Sequence, residues 1–327
     1  MSRNLLNKVK TNETVVGKKG IWEGLHFKSE RFALTRKIVA YKTSESWVAV
    51  PHCAYNYEPD VTEFMEVYKA LKNKYLPEQN ITFNSLMLKV VVEGIKAAPN
   101  LNAYCQYNRL NSRGSIDTIE EINISMPYRI DDETTITVNL QNMHTKTLSE
   151  INAAVDDIRR RAANTNLEEL YYRVAFKESM EDLKELEISM VIRRLFAGKV
   201  GKDKVHPLGG KAKTEYDKIP ETERLTIKDV RQGTLVVTNL GSLTQNTRGA
   251  ASLIEIVPPQ ILAVALSAVQ EKPGIIISEN GEKVITPRKF LPINLVFDHR
   301  ACDFDALVPF MKKLDEIFAN PNVMLEW

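Results

Sequence analysis

Residues 81–99, ITFNSLMLKVVVEGIKAAP, are apolar around nearly their whole circumference, with Leu86, Val90 and Ile95 on one side. This pattern predicts a helix buried on most faces and stopped before Pro99. A different period follows. INISMPYRI alternates Ile122, Ile124 and Met126, and TTITVNL alternates as well, which predicts two strands joined at the DDE turn. Thr147 and Glu150 have capping-box spacing, and Leu148, Ile151, Val155 and Ile158 then mark an amphipathic helix through Arg161. Nearer the start, Ile38, Val39 and Tyr41 fit a helical turn pattern, and VAVPHCAYNYEPDV after them reads as extended chain. Asp60 and Glu63 have the spacing of a further capping box, opening a helix that carries Phe64, Tyr68 and Leu71 and ends at Pro77. GTLVVTNLGS, ILAVALSAV and PINLVFD are strand-like apolar runs. A last helix is expected from about Phe304 to Ala319, with Leu307, Met311, Leu314 and Ile317 on one face. Helical and strand periods interleave along the chain, so the class is α/β.

Two stretches break the rhythm. Residues 1 to about 30 mix basic, polar and small patches and read as an arm that orders on a neighbour. Residues 165–226 begin with a helical pattern and continue as a Gly-rich, basic stretch from Arg193 to Lys218, expected to be a long loop. The sequence shows no internal repeat and no low-complexity tract.

Composition narrows the class without naming a chemistry. At 327 residues the chain can bury a substantial core, and its apolar and charged fractions are those of a globular protein rather than a disordered or fibrous one. A formal net charge of +2 gives no sign of a nucleic-acid partner. Cys53, Cys105 and Cys302 are scattered and odd in number, which fits a reducing compartment better than a disulfide framework. The N-terminus lacks the apolar run of a signal peptide, and no eighteen consecutive apolar residues occur, so the expectation is a cytoplasmic protein without a membrane span. His26, His52, His144 and His206 have no ligand-like neighbours, and no metal is assigned.

The candidate chemistry lies in FDHRACDFDA, residues 297–306. His299 stands where a buried strand gives way to a helix, a junction at which side chains often face a ligand, and Asp303 follows four residues later. Spacing alone leaves a catalytic pair and an ordinary loop His and Asp equally open.

Four blocks in order add a resemblance. LPINLVFDHRACDFDALVPFMKKLDEIFANPNVML resembles the carboxyl end of the catalytic domain of 2-oxoacid dehydrogenase acyltransferases, with its D-H-R-x-x-D-G pattern. QGTLVVTNLGSLTQ, EIVPPQILAVALSAVQEKP and LTRKIVAYKTSESWVAVPHCAYNYEPDVTEF resemble further segments of that family, from about Leu34 to Leu325 with 165–226 unmatched. The resemblance implies a chloramphenicol acetyltransferase-like two-layer α/β sandwich, a mixed β-sheet packed with helices. It frames residues 1–30 as an arm and 31–327 as the acyltransferase-like domain, with an insertion at about 165–226.

The same resemblance implies roles. His299 would take the proton of an incoming thiol, Thr238 would give its hydroxyl to the oxyanion, and Asp303, partly buried, would pair with Arg36 and hold the loop. As a β-branched residue at the end of a strand, Thr238 is equally well explained by structure alone. Coenzyme A is then a substrate, and a lipoyl group enters only from another chain, since no segment here resembles the family's lipoyl or subunit-binding domains. The implied partners are two further copies in a homotrimer whose sites lie between subunits, a larger cage, and a lipoyl-bearing or dehydrogenase subunit. Phe304 departs from the pattern, standing where the family has Gly. This departure supports an alternative, a catalytically inactive structural core subunit. Cys302 occupies a position that is apolar and packed in the family, which argues against a nucleophilic thiol.

Overall fold

The structure is a computed structural model that describes residues 13–16, 26–29, 32–74, 81–130, 134–184, 207–245, 247 and 249–327. Pro77, the DDE turn and most of the basic run after Arg193 lie outside the described residues. The chain divides into two units, one of residues 1–41 and 167–208 and one of residues 42–166 and 209–327.

The first unit contains an antiparallel pair, β1 (Glu13–Val16) and β2 (His26–Ser29), in the segment expected to be an arm. It also holds the first half of helix α1 (Leu34–Ala49). Here Glu169 is fully buried, bound to Arg173 at 2.8 Å and accepting the backbone N–H of Leu208 at 3.1 Å.

The second unit is built on β3 (His52–Tyr57), α2 (Thr62–Lys74), α3 (Phe83–Ala97), β4 (Ala103–Asn108), β5 (Arg113–Thr118), β6 (Ile124–Arg129), β7 (Thr135–Leu140) and α4 (Leu148–Ala162). After α5 (Leu167–Lys184), which belongs to the first unit, the second resumes with α6 (Gly210–Asp217), α7 (Ile227–Val230), β8 (Leu235–Asn239) and β9 (Leu262–Leu266). It ends with β10 (Gln270–Ile277), β11 (Lys283–Phe290), β12 (Ile293–Asp298) and α8 (Val308–Ala319).

Six strands form one mixed sheet in the order β3-β12-β9-β8-β6-β7. The β6–β8 and β8–β9 pairs are parallel and the other three antiparallel. Every residue of β9 and β12 is buried, as expected of apolar runs covered on both faces. Helix α3 lies against this sheet, its Asn84 bonded to Asn239 of β8 and to the Met126 sulfur of β6. At the start of α3, Thr82 accepts the Ser85 N–H, and Ser85 Oγ donates to Asn152 of α4 at 2.8 Å. The mixed sheet packed with helices is therefore present as expected.

Several local expectations change. Val48 and Ala49 finish α1, and extended chain begins only at His52, since Pro51 can donate no backbone hydrogen bond. The capping box at Thr147 and Glu150 forms, whereas Glu63 binds Arg288 at 2.7 Å instead of capping α2. Residues 210–217, expected in a loop, are helical.

Candidate active site

β12 delivers the site. Its last residue, Asp298, is fully buried, and its N–H donates to the Ile261 carbonyl at 2.9 Å. The chain then turns, with the N–H groups of Ala301 and Cys302 both donating to the Asp298 carbonyl. The Asp298 carboxylate accepts the backbone N–H of Arg300 at 2.9 Å and grips its guanidinium through Nε and Nη2, the latter at 2.6 Å. Sequence reasoning missed this role: an Asp side chain can bond the backbone two residues on, but every non-proline residue offers that N–H, so the pattern does not single Asp298 out.

His299 rides on this turn. Its N–H donates to the Pro51 carbonyl at 3.1 Å, and 43% of its side chain remains exposed. Nδ1 stands 3.2 Å from the Cys302 carbonyl oxygen and 3.2 Å from Asp303 Oδ1. A carbonyl oxygen only accepts, so Nδ1 carries the proton and Nε2 keeps its lone pair for another partner. The Asp303 carboxylate faces the charge that the ring gains once Nε2 takes up a proton.

Asp303 is 81% exposed, not partly buried as expected, and its ion pair within the described residues is with His299. Arg36 is an exposed residue on the part of α1 that belongs to the other unit. Phe304 sits edge-on to Phe297 at 4.9 Å between ring centroids and 6.2 Å from the His299 ring. Its backbone is not left-handed; among the described non-glycine residues only Ser112 and Asn142 are, so the chain path here does not require glycine. Burial, followed by the carboxylates of Asp298, Asp303 and Asp305, pushes the Cys302 thiol up to about 11. Such a thiol holds almost no thiolate near neutrality and is a poor nucleophile.

Thr238 is half-buried on β8, and the register fixes its place. It pairs with Ala265, which pairs with Asn294, five residues before His299 on β12. At about 3.3 Å per residue and about 4.8 Å per strand, Thr238 and His299 of one chain are on the order of 19 Å apart. The fold thus brings together His299, Asp303, Cys302 and Phe304, and leaves Thr238 at the opposite end of the sheet. Beside the turn, a cleft of about 570 Å³ is lined by Trp47, Pro51, Tyr107, Arg109 and Arg300.

Residues 25–171 and 211–326 match the family model described as 2-oxoacid dehydrogenases acyltransferase (catalytic domain). The chain is similar to the dihydrolipoyllysine-residue succinyltransferase component of the mitochondrial 2-oxoglutarate dehydrogenase complex of Saccharomyces cerevisiae, 32% identical over 104 residues, or 32% of this chain and 20% of that protein. The dihydrolipoyllysine-residue acetyltransferase component of the pyruvate dehydrogenase complex of Mycobacterium tuberculosis is 21% identical over 278 residues, covering 84% of this chain and 38% of that one. The chain therefore spans less than two fifths of either relative. Among solved structures it is similar to dihydrolipoamide acetyltransferase of Azotobacter vinelandii, a study of the roles of a serine, a histidine and an asparagine in that enzyme's catalytic mechanism. The TM-score is 0.59 at 17% identity, covering 91% of this chain and 94% of that one. The cubic core of a pyruvate dehydrogenase multienzyme complex gives 0.58 at 18%, with the same coverage. At such identities these likenesses speak for the fold.

Proposed function

From the premise that this chain belongs to the 2-oxoacid dehydrogenase acyltransferase family, whose catalytic-domain model matches most of its length, we propose that it transfers an acyl group between a dihydrolipoyl-type thiol and coenzyme A. The observation that carries this reading is the His299 ring, with Nδ1 committed to the Cys302 carbonyl and Nε2 left available in a half-exposed loop. In the forward step the S–H proton passes to Nε2 and the thiolate attacks the thioester carbonyl carbon. The tetrahedral oxyanion accepts a hydrogen bond from the Thr238 hydroxyl. On collapse, the C–S bond to the departing thiol breaks, and that thiolate recovers the proton from Nε2. The acyl group moves from sulfur to sulfur with no net gain or loss of protons, and no acyl-enzyme forms.

Within one chain Thr238 lies too far from His299 for this chemistry, which supports a site shared between copies, as in a homotrimer. That a related fold forms the cubic core of a pyruvate dehydrogenase multienzyme complex supports an assembly of several copies. A dihydrolipoyl-type thiol is the acyl donor or acceptor on this reading.

The test is acyl exchange between acetyl-coenzyme A and dihydrolipoamide by wild type and variants. His299→Ala is expected to lower kcat by about 10²- to 10⁴-fold, and Thr238→Val by about 10²- to 10³-fold. Wild-type turnover no higher than that of His299→Ala defeats the enzyme reading. Phe304 favours a second reading, an inactive structural core, because its ring stands beside the imidazole. That reading expects no exchange by wild type, with turnover appearing only in Phe304→Gly.

A further inference from the structure

Ser46 and His52 take no part in the scheme above, yet side chains and backbone connect them to His299. The Ile256 N–H donates to His52 Nε2 at 3.0 Å. Ser46 Oγ, 3.2 Å from the same nitrogen, donates to the Ile256 carbonyl at 2.7 Å. Both backbone groups of Ile256 are thus held by side chains from the end of α1 and the start of β3 rather than by a neighbouring strand. An N–H cannot accept, so His52 must be neutral with its proton on Nδ1 for this clamp to close. Val50, Ile256, Ala263 and Val296 form one buried apolar cluster around the same residues.

The clamp joins the two walls that hold the turn. On one side, the Pro51 carbonyl accepts the His299 N–H, and His52 is the register partner of Asp298. On the other, the Ile261 carbonyl accepts the Asp298 N–H, five residues beyond Ile256. Without the Ile256 contacts these walls are joined through β12, and the backbone of residues 298–299 is bonded to both.

We propose that Ser46 and His52 are positioning residues that set the main-chain path of His299 and so the aim of its Nε2. The inference rests on reading His299 as the base.

Three variants test it. His52→Gln keeps an acceptor where Nε2 stands, His52→Phe keeps ring volume without the acceptor, and Ser46→Ala removes the bond to the Ile256 carbonyl. In the acyl-exchange assay, His52→Phe is expected to lose about tenfold or more in kcat with both KM values within twofold of wild type, while His52→Gln recovers most of the loss. Equal losses in the two His52 variants, unchanged kcat, or a loss confined to KM overturns the proposal. If His52→Phe does not fold, Ser46→Ala carries the comparison: a lowered kcat at constant KM supports the clamp, and wild-type kcat refutes it. A wild type no more active than His299→Ala defeats the acyltransferase reading instead. The clamp is then judged by crystal structures of wild type and Ser46→Ala, in which an unmoved His299 main chain sinks it and a displaced one supports it.

Discussion

Asp298 shows how one buried carboxylate can organise the turn that carries His299. Its side chain is fully buried, while Arg300 keeps about a fifth of its own in solvent, so the pair is neither a surface ion pair nor a sealed one. Removing the guanidinium leaves the carboxylate buried and uncompensated. For a partly exposed partner the cost belongs near the lower end of the range for buried pairs, about 3 kcal/mol. Arg300→Met is expected to lose that much in urea denaturation, and a loss under about 1 kcal/mol would show that solvent reaches Asp298. His52 gives a second prediction at this scale, with a definite sign. Burial holds its pKa below the ordinary 6.5, against the Val50 backbone and the Asp298 and Glu255 carboxylates, with Arg300 pushing the same way as burial. Below pH 6.5 the unfolded chain therefore binds a proton that the folded chain refuses, so the His52 contribution is complete above that pH and declines as the pH falls. Between pH 8 and 5 the stability of wild type should drop more steeply than that of His52→Gln; parallel curves would remove His52 from the account.

Helix α3 gives the corresponding case for a whole element. A methyl group on Gly94 would stand 2.6 Å from Phe310 Cε2 and 2.7 Å from Leu314 Cδ1, both side chains of α8 and both fully buried. Alanine favours a helix over glycine by about 1 kcal/mol, but overpacking a closed contact costs about 1–3 kcal/mol. Gly94→Ala should therefore lower the thermal midpoint, and a rise would mean that α3 and α8 separate easily. The helix itself was legible, because Leu86, Val90 and Ile95 repeat at helical spacing and Pro99 ends it. So were β6, β7, β8, β9 and β12, whose apolar runs pack in the sheet. The hairpins β4–β5 and β10–β11 were not, and for a physical reason. Every residue of β5 is exposed, and on β10 the inward, half-buried positions include Gln270, Lys272 and Gly274 while Ile275 and Ile277 face outward at 70% exposure or more, so apolar residues do not mark the inward faces of these hairpins. His299 was legible from its place after an apolar strand. The Asp298–Arg300 grip and the Ser46–His52 clamp were not, because each depends on contacts that pattern alone does not show, the latter across more than two hundred residues of sequence.

At the scale of the whole molecule, strand order decides what one chain can do alone. β8 runs parallel to β9 and β12 runs antiparallel to it, so the end of β8 that bears Thr238 lies at the start of β12, away from His299. Shifting a rotamer cannot close a gap set by five residues of rise and two strand spacings. If both groups act on one substrate, they must come from different copies, and this has a consequence that no single-chain site shares. Chains carrying His299→Ala and chains carrying Thr238→Val are each expected to be nearly inactive. Unfolded together in equal amounts and refolded as mixed assemblies, they should regain activity, because a Thr238→Val chain still offers its imidazole and a His299→Ala chain its hydroxyl. In a closed ring, random mixing places an intact imidazole against an intact hydroxyl at about one half times one half, or about a quarter, of the sites. Recovery approaching a quarter of wild-type exchange fits a shared site. No recovery, from mixtures that light scattering shows to be co-assembled, would place the oxyanion donor on the same chain as His299 and take the role from Thr238.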